Sequence, residues 1–428
     1  MDNTSSSSWR IKPPEIALTE QLSFHQGESL PFEKGRIQGF YDDRQPFVQI
    51  DLLIPSGTWF EEKYGAAQMM ASMLRSGTKN HSNEALNALI EETGGNIAIQ
   101  RGTYYTHIII QGLSHSIEIL LDLLFDMLTG SVFNETELSK RVTILTNKLR
   151  RLNQQPEYRA SKEISKLLYG ERHPYGRSLE VQHLEAISVQ DVQHHAQQWL
   201  AWNDDCIGTI AGCYNGGMID KLSAGLSIIT KENALSIPQH AVIAYHPKKI
   251  VTQRKDSTQH AIRLAHPTIS AHHEDAYGLR FLNNVLGGFF GSRLMSNIRE
   301  DKGYTYGIQS SLHQLKYGNS LIIGTEVAHQ YTEATLQEIF HEIQRLQDEL
   351  IEGSEWSMMQ NYYNGLILRT VNSAFSVAKT FRRLTSLGSS LDSIHKDLEV
   401  SLSLDPSKVR ELARKHIDRD QLSQVIIA

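Results

Sequence analysis

An internal repeat is the strongest constraint on what this chain can fold into. Glu61-Glu62-Lys63-Tyr64-Gly65 opens an apolar helical segment, and Glu274-Asp275-Ala276-Tyr277-Gly278 opens another 213 residues later. Next, residues 116–130 carry Ile117, Leu120, Leu121, Leu124, Phe125 and Leu128 at helical spacing. Residues 332–350 answer with Leu336, Ile339, Phe340, Ile343 and Leu350. A helix start follows each stripe: Asn134 with Glu137 as a capping-box pattern, and Ser354 ahead of Tyr362 and Leu366. The same elements in the same order, at an offset that drifts only slightly, are the signature of duplication.

Between these helices the period changes. Ser82 can cap a helix through Leu86, Leu89 and Ile90, and Gly94-Gly95 stop it. The stretch NIAIQRGTYYTHIIIQG then alternates, which predicts two strands around a turn near Gly102. Residues 306–312 and 319–327 repeat that pattern. The expected fold class is α+β: two homologous α+β domains, each an antiparallel sheet with helices packed on one face. The expected boundaries are a polar N-terminal extension at 1–30, a first domain at 31–226, a linker at 227–246 and a second domain at 247–428. The linker contains Lys231-Glu232-Asn233 and Pro238, and ordered structure is expected to begin near Phe47, in FVQIDLLIP.

Charge narrows the function. Lys plus Arg number 42 against 48 Asp plus Glu, for a formal net charge of -6. With no basic excess and no basic run, nucleic acid and anionic membranes are poor partners. The start of the chain, MDNTSSSSWRIKPP, lacks the apolar core of a signal peptide. The apolar stretch from Ile117 to Leu128 is interrupted by Glu118, Asp122 and Asp126 and is too short to span a bilayer. Cys206 and Cys213 are the sole cysteines, and their odd spacing places them on opposite faces of a strand, which argues against a bridge. A reducing cytoplasm is the expected location.

Four stretches carry a family resemblance: GTWFEEKYGAAQMMASMLRSGTKNHS, EETGGNIAIQ, ERHPYG at 171–176, and LGGFFGSRLMSNIREDKGYTYGI. The chain resembles the insulinase and pitrilysin-type zinc metallopeptidases, in the short-chain branch that includes the mitochondrial processing peptidase. The resemblance spans about residues 30–428. It implies two homologous domains per chain, forming half of a clamshell that closes around an unfolded peptide.

Active members carry His-x-x-Glu-His on a helix, with both His on one face reaching one Zn²⁺ and the Glu acting as general base. The matching segment here is Gln68-Met69-Met70-Ala71-Ser72. Gln68 stands for the first His, Ala71 for the base and Ser72 for the second His. The distal Glu ligand falls on or beside Asn147. An amide, a methyl group, a hydroxyl and a second amide cannot hold zinc at useful affinity. No cofactor is therefore expected in this chain, and zinc is expected in a partner subunit. The pairs His194-His195 and His272-His273 read as structural, because adjacent side chains diverge on a helix or strand.

The second half keeps what the first has lost. The family's facing domain contributes an Arg and a Tyr seven residues apart, and SNIREDKGYTYGI supplies Arg299 and Tyr306 at that spacing. By resemblance, Arg299 orients the peptide carbonyl and Tyr306 helps stabilise the oxyanion, with Tyr304 the second choice for the phenol. Asn96, Ile97, Ala98 and Ile99 match the edge strand to which extended peptide adds. Gly287 and Gly288 match a turn bordering the peptide channel. With no Gly-Lys-Ser/Thr following, these glycines do not form a phosphate loop.

The favoured function is a zinc-lacking subunit of a heterodimeric zinc metallopeptidase. Its partners would be a homologous chain bearing His-x-x-Glu-His and a peptide substrate. In isolation the chain could pair with itself. The alternative is an inert scaffold or a peptide-binding module of the same fold.

Overall fold

The structure is a computed structural model that describes residues 17–231, 236–252 and 258–428. In the first half, strands β1 (Glu28–Ser29), β2 (Arg36–Tyr41), β3 (Phe47–Ile54), β4 (Asn96–Arg101), β5 (Thr106–Leu113) and β6 (Ile207–Gly212) form one sheet. Its helices are α1 (Ala66–Met73), α2 (Asn83–Glu92), α3 (Ile117–Gly130), α4 (Glu135–Leu152), α5 (Pro156–Tyr169), α6 (Val181–Glu185), α7 (Val189–Trp199) and α8 (Gly216–Ile228). In the second half, β7 (Lys249–Thr252), β8 (Gln259–Pro267), β9 (Thr305–Leu315), β10 (Gly318–Ala328) and β11 (Ser423–Ile427) form a second sheet. Its helices are α9 (Ala276–Asn283), α10 (Thr332–Asp348), α11 (Gly353–Arg369), α12 (Ala374–Ser386), α13 (Asp392–Ser403) and α14 (Pro406–His416).

The topology repeats with the sequence. The first sheet runs β1-β2-β6-β3-β5-β4 and the second runs β7-β11-β8-β10-β9. Without β1, the orders coincide, strand for strand in chain order. The polarities coincide as well: β2/β6 and β7/β11 are parallel, and the remaining neighbours in both series are antiparallel. The sheets are thus mixed rather than wholly antiparallel. The parallel pair arises because the last strand of each half returns between the first two.

Each sheet is covered on its second face by a helix from the other half. On β3, Val48, Ile50 and Leu52 enter the first core, whereas Asp51 faces the opposite way and pairs with Arg382 on α12. On β8, Ile262 and Leu264 enter the second core, whereas Ala261 and Ala265 pack against Ala160, Ile164 and Leu168 of α5. Alternating side chains on a strand make this two-sided burial possible. The small residues on both surfaces let α5 approach the sheet closely.

Several details depart from the sequence expectation. Ordered structure begins before Phe47: β2 pairs with β6, and Leu22 and Phe24 pack on the second core. Thr19 exchanges hydrogen bonds with Asn364 at 3.1 and 2.9 Å. Ser82 and Asn134 cap α2 and α4 through Ala85 and Glu137, as expected. Ser354 does not cap α11. That helix begins at Gly353, with Glu352 as an extended N-cap lacking a side-chain bond. Glu232 and Asn233 of the expected linker lie outside the described residues. The linker's Pro238 carbonyl accepts from Trp59 Nε1 at 3.0 Å, and His240 Nε2 lies 2.8 Å from the Trp59 carbonyl. Cys206 and Cys213 are both free. No helix among the described residues is long and apolar enough to cross a membrane.

Candidate functional site

The helix that carries the degenerate motif is anchored before it starts. Gly65 has φ +99°, a left-handed conformation that favours glycine. Glu61 accepts from the backbone amides of Gly65 and Ala67 at 3.2 and 3.0 Å and pairs with Arg177 at 2.9 Å. Burial pushes the Glu61 carboxyl up, against the pull of Arg177 and the two amides. The Arg177 guanidinium also lies over the Tyr64 ring at 4.3 Å.

On α1 the motif positions are already engaged within the chain. Arg101 Nε donates to Gln68 Oε1 at 3.2 Å. Ala71 is buried, and Ser72 Oγ donates back to the Met69 carbonyl at 2.9 Å. Asn147 on α4 is exposed. Its neighbour Lys148, not Asn147, lines a cavity of about 460 Å³ together with Gln68, Arg101, Tyr64 and Tyr158. Zinc requires three or four converging nitrogen, sulfur or carboxylate ligands. An amide held by Arg101, a methyl group, a hydroxyl bonded to its own helix and a nearby ammonium do not fit that ion. Among the described residues, no group of three or more His, Cys, Asp or Glu could hold a metal. His195 Nε2 contacts the Ser56 carbonyl at 2.9 Å and His272 Nε2 the Leu387 carbonyl at 2.8 Å, both structural contacts.

The strand beside α1 lies at a sheet edge. β4, with Asn96, Ile97, Ala98 and Ile99, is the last strand of its sheet. Its Ile97 carbonyl is already taken, by Arg75 Nη1 at 2.6 Å. Free pairing positions therefore lie toward Ile99 and Arg101.

In the second half β9 occupies the corresponding edge. A π-helical turn at Met295–Asp301 presents Arg299, whose Nε donates to the backbone carbonyl of Tyr306 at 3.1 Å. The guanidinium also sits over the Phe290 ring at 4.6 Å and 3.7 Å from Glu300. Tyr306 is 96% exposed, and the pairing of β9 with β10 shifts between Thr325 and Val327, opposite the start of β9. Such an irregularity re-aims the strand end and the side chains on it. Tyr304 is packed instead, stacked on Tyr331 at 4.6 Å.

Gly287 and Gly288 border a second cavity of about 650 Å³ with Phe290, Gly307 and Glu326. A Cβ at Gly287 would come within 2.7 Å of the Ser310 amide, so glycine is what lets the turn approach β9. Ser165, His313 and Ile322 line both cavities, which makes them neighbouring parts of one groove. Of the motif positions, Gln68 alone lines this groove, and Phe290 and Gly307, beside the Arg299–Tyr306 pair, line its other part. Arg101 and Lys148 were not singled out from sequence, although Arg101 closes the NIAIQ strand and Lys148 adjoins Asn147.

Two consecutive segments match profiles of one family: residues 40–181 match "Insulinase (Peptidase family M16)", and residues 186–363 match "Peptidase M16 inactive domain". The chain belongs to the M16 family. It is 25% identical over 386 residues to "Uncharacterized zinc protease YmxG" of Bacillus subtilis, covering 87% of this chain and 91% of that protein. Among solved structures, the peptidase M16 inactive domain from Pseudomonas fluorescens superposes with a TM-score of 0.83 at 19% identity, covering 94% of this chain and 98% of that one. A protease from Helicobacter pylori gives 0.83 at 17% identity, covering 94% and 99%. Those two likenesses bear on the fold. As an M16 chain this one is a degenerate homologue: His-x-x-Glu-His occurs nowhere in its sequence.

Proposed function

We propose that this chain is the zinc-lacking subunit of a heterodimeric M16 peptidase and supplies Arg299 and Tyr306 to a partner's metal site. The supporting observation is the presentation of Tyr306. An aromatic side chain on a strand ordinarily buries most of its surface. This one is 96% exposed at the start of an edge strand, while Tyr304 is packed. Arg299 holds the Tyr306 backbone through Nε and keeps only a long, 3.7 Å ion pair from Nη1 to Glu300, so its Nη donors can turn to a substrate carbonyl. The Tyr306 hydroxyl can then donate to the oxygen that becomes negative as the peptide bond is attacked. A metal held by the partner would supply the activated water. The partner is a homologous chain with an intact His-x-x-Glu-His, and the substrate is an extended peptide.

The test is turnover of an internally quenched peptide by the assembled pair. Tyr306→Phe and Arg299→Ala should each lower kcat at least tenfold without changing assembly, consistent with loss of one oxyanion or orienting donor. Unchanged turnover for both variants in an assembled complex would remove their assigned roles. An inert scaffold of the same fold predicts no cleavage in any assembly containing this chain.

A further inference from the structure

The cavity beside α1 takes in Gln68, the first of the motif positions, and its charges have a definite sign. Its lining holds three fixed cations, Arg101, Lys148 and Arg177, and one carboxylate, Glu61. Glu61 takes its hydrogen bonds from Arg177 and two backbone amides and feels Arg101 only through space, and one carboxylate offsets only one of the three cations. Arg101 and Lys148 are therefore in excess. Lys148 has no hydrogen-bond or ion-pair partner among the described residues. Arg101 spends one donor, Nε, on Gln68 Oε1, and that contact fixes the guanidinium with both Nη groups uncommitted. A guanidinium held in this way presents parallel donors matched to a carboxylate, and a nearby ammonium adds charge without demanding geometry. Tyr64 and Tyr158 complete an amphipathic wall around the two cations.

The location of the cavity points to its occupant. Arg101 is the last residue of the edge strand β4, and the Ile97 carbonyl near the start of that strand is already blocked by Arg75. An extended peptide pairing with the free portion of β4 would bring a group to Arg101 and Lys148. We infer that this cavity is an anion subsite, in which Arg101 and Lys148 receive a carboxylate of the bound peptide in place of the lost cation site. The peptide-binding part of the function above underlies this inference, but the catalytic pairing does not. It can therefore be tested on the isolated chain.

The carboxylate could be the peptide's C-terminus or an acidic side chain, and the two sources are separable. Binding of an N-terminally labelled decapeptide with one central Glu is measured by fluorescence anisotropy. Three comparison peptides carry a C-terminal amide, Gln in place of Glu, or both changes. The expected result is about tenfold weaker binding for whichever single change removes the recognised carboxylate. In Arg101→Gln and Lys148→Met, both exposed positions, that preference should vanish while the affinity for the doubly neutral peptide stays the same. Sensitivity to the C-terminal amide identifies the terminus, and sensitivity to Glu→Gln identifies a side chain. Equal binding of all four peptides, no binding of any, or a preference that survives both variants would overturn the subsite. Loss of this preference test together with intact Tyr306→Phe effects on turnover would leave the subunit function standing.

Discussion

Arg382 on α12 and Asp51 on β3 tie the second half of the chain to the first. The Asp51 side chain is 1% exposed and that of Arg382 is 10% exposed. Asp51 also accepts from Gln49 Nε2 at 2.7 Å and lies 2.7 Å from His107 Nε2. Arg382 Nη1 has Thr209 Oγ1 at 3.2 Å as its further partner. Removing one member of a buried ion pair strands the other, at a cost of about 3–5 kcal/mol. Arg382→Met leaves Asp51 with two neighbours able to donate, so its cost should lie near the lower end, about 3 kcal/mol. Asp51→Asn leaves a buried guanidinium without a counter-charge, and about 4 kcal/mol is expected. The double variant strands no charge. Its cost should fall below the sum of the singles by at least about 2 kcal/mol. Urea unfolding followed by circular dichroism measures the cycle, and hydrogen exchange of the α12 amides shows whether the helix itself loosens. Additive costs, or singles below about 1 kcal/mol, would refute the claim that this pair locks α12 onto the first sheet.

Three further outcomes follow from local geometry. A Cβ at Gly225 on α8 would overlap the Phe125 ring on α3, so Gly225→Ala should cost about 1–3 kcal/mol, measured by urea midpoint. Asp275 sits near Lys415 Nζ at 2.6 Å and His416 Nε2 at 2.8 Å; burial alone would raise its pKa, but these donors outweigh burial and hold it at about 2. A depressed carboxyl stabilises the folded chain above its unfolded pKa, and that contribution is lost as the pH falls from about 4 toward 2. Asp275→Asn should therefore flatten the fall in urea midpoint across that window, and an unchanged slope would remove the assigned role. Tyr306→Phe should leave the unfolding free energy within about 0.5 kcal/mol of the parent, because the side chain is exposed.

Much of the fold could be read from the sequence because periodicity reports burial. The hairpin of β4 and β5 alternates around Gly102, and α3 and α10 carry apolar stripes at helical spacing. β2 escaped notice because RIQGFY is short and follows a polar tract, and its burial depends on distant partners. Ile37 enters the first core and Phe40 the second, which local pattern alone cannot reveal. The exchange of α5 and α12 between halves was hidden for the same reason, since an amphipathic helix does not state which sheet it covers. At the site, the family resemblance pointed to Arg299 and Tyr306, but only the structure distinguished the exposed Tyr306 from the packed Tyr304. The excess charge of Arg101 and Lys148 emerges only once β4 and α4 face one cavity.

The most direct test of the subunit function is the composition of the assembly purified through this chain from its own cell extract. Intact mass and zinc content are measured on the same sample. The account predicts an equimolar second chain of similar size that carries His-x-x-Glu-His, with zinc bound to that chain alone. Recovery of this chain by itself or as a homodimer, or zinc bound to this chain, would contradict it.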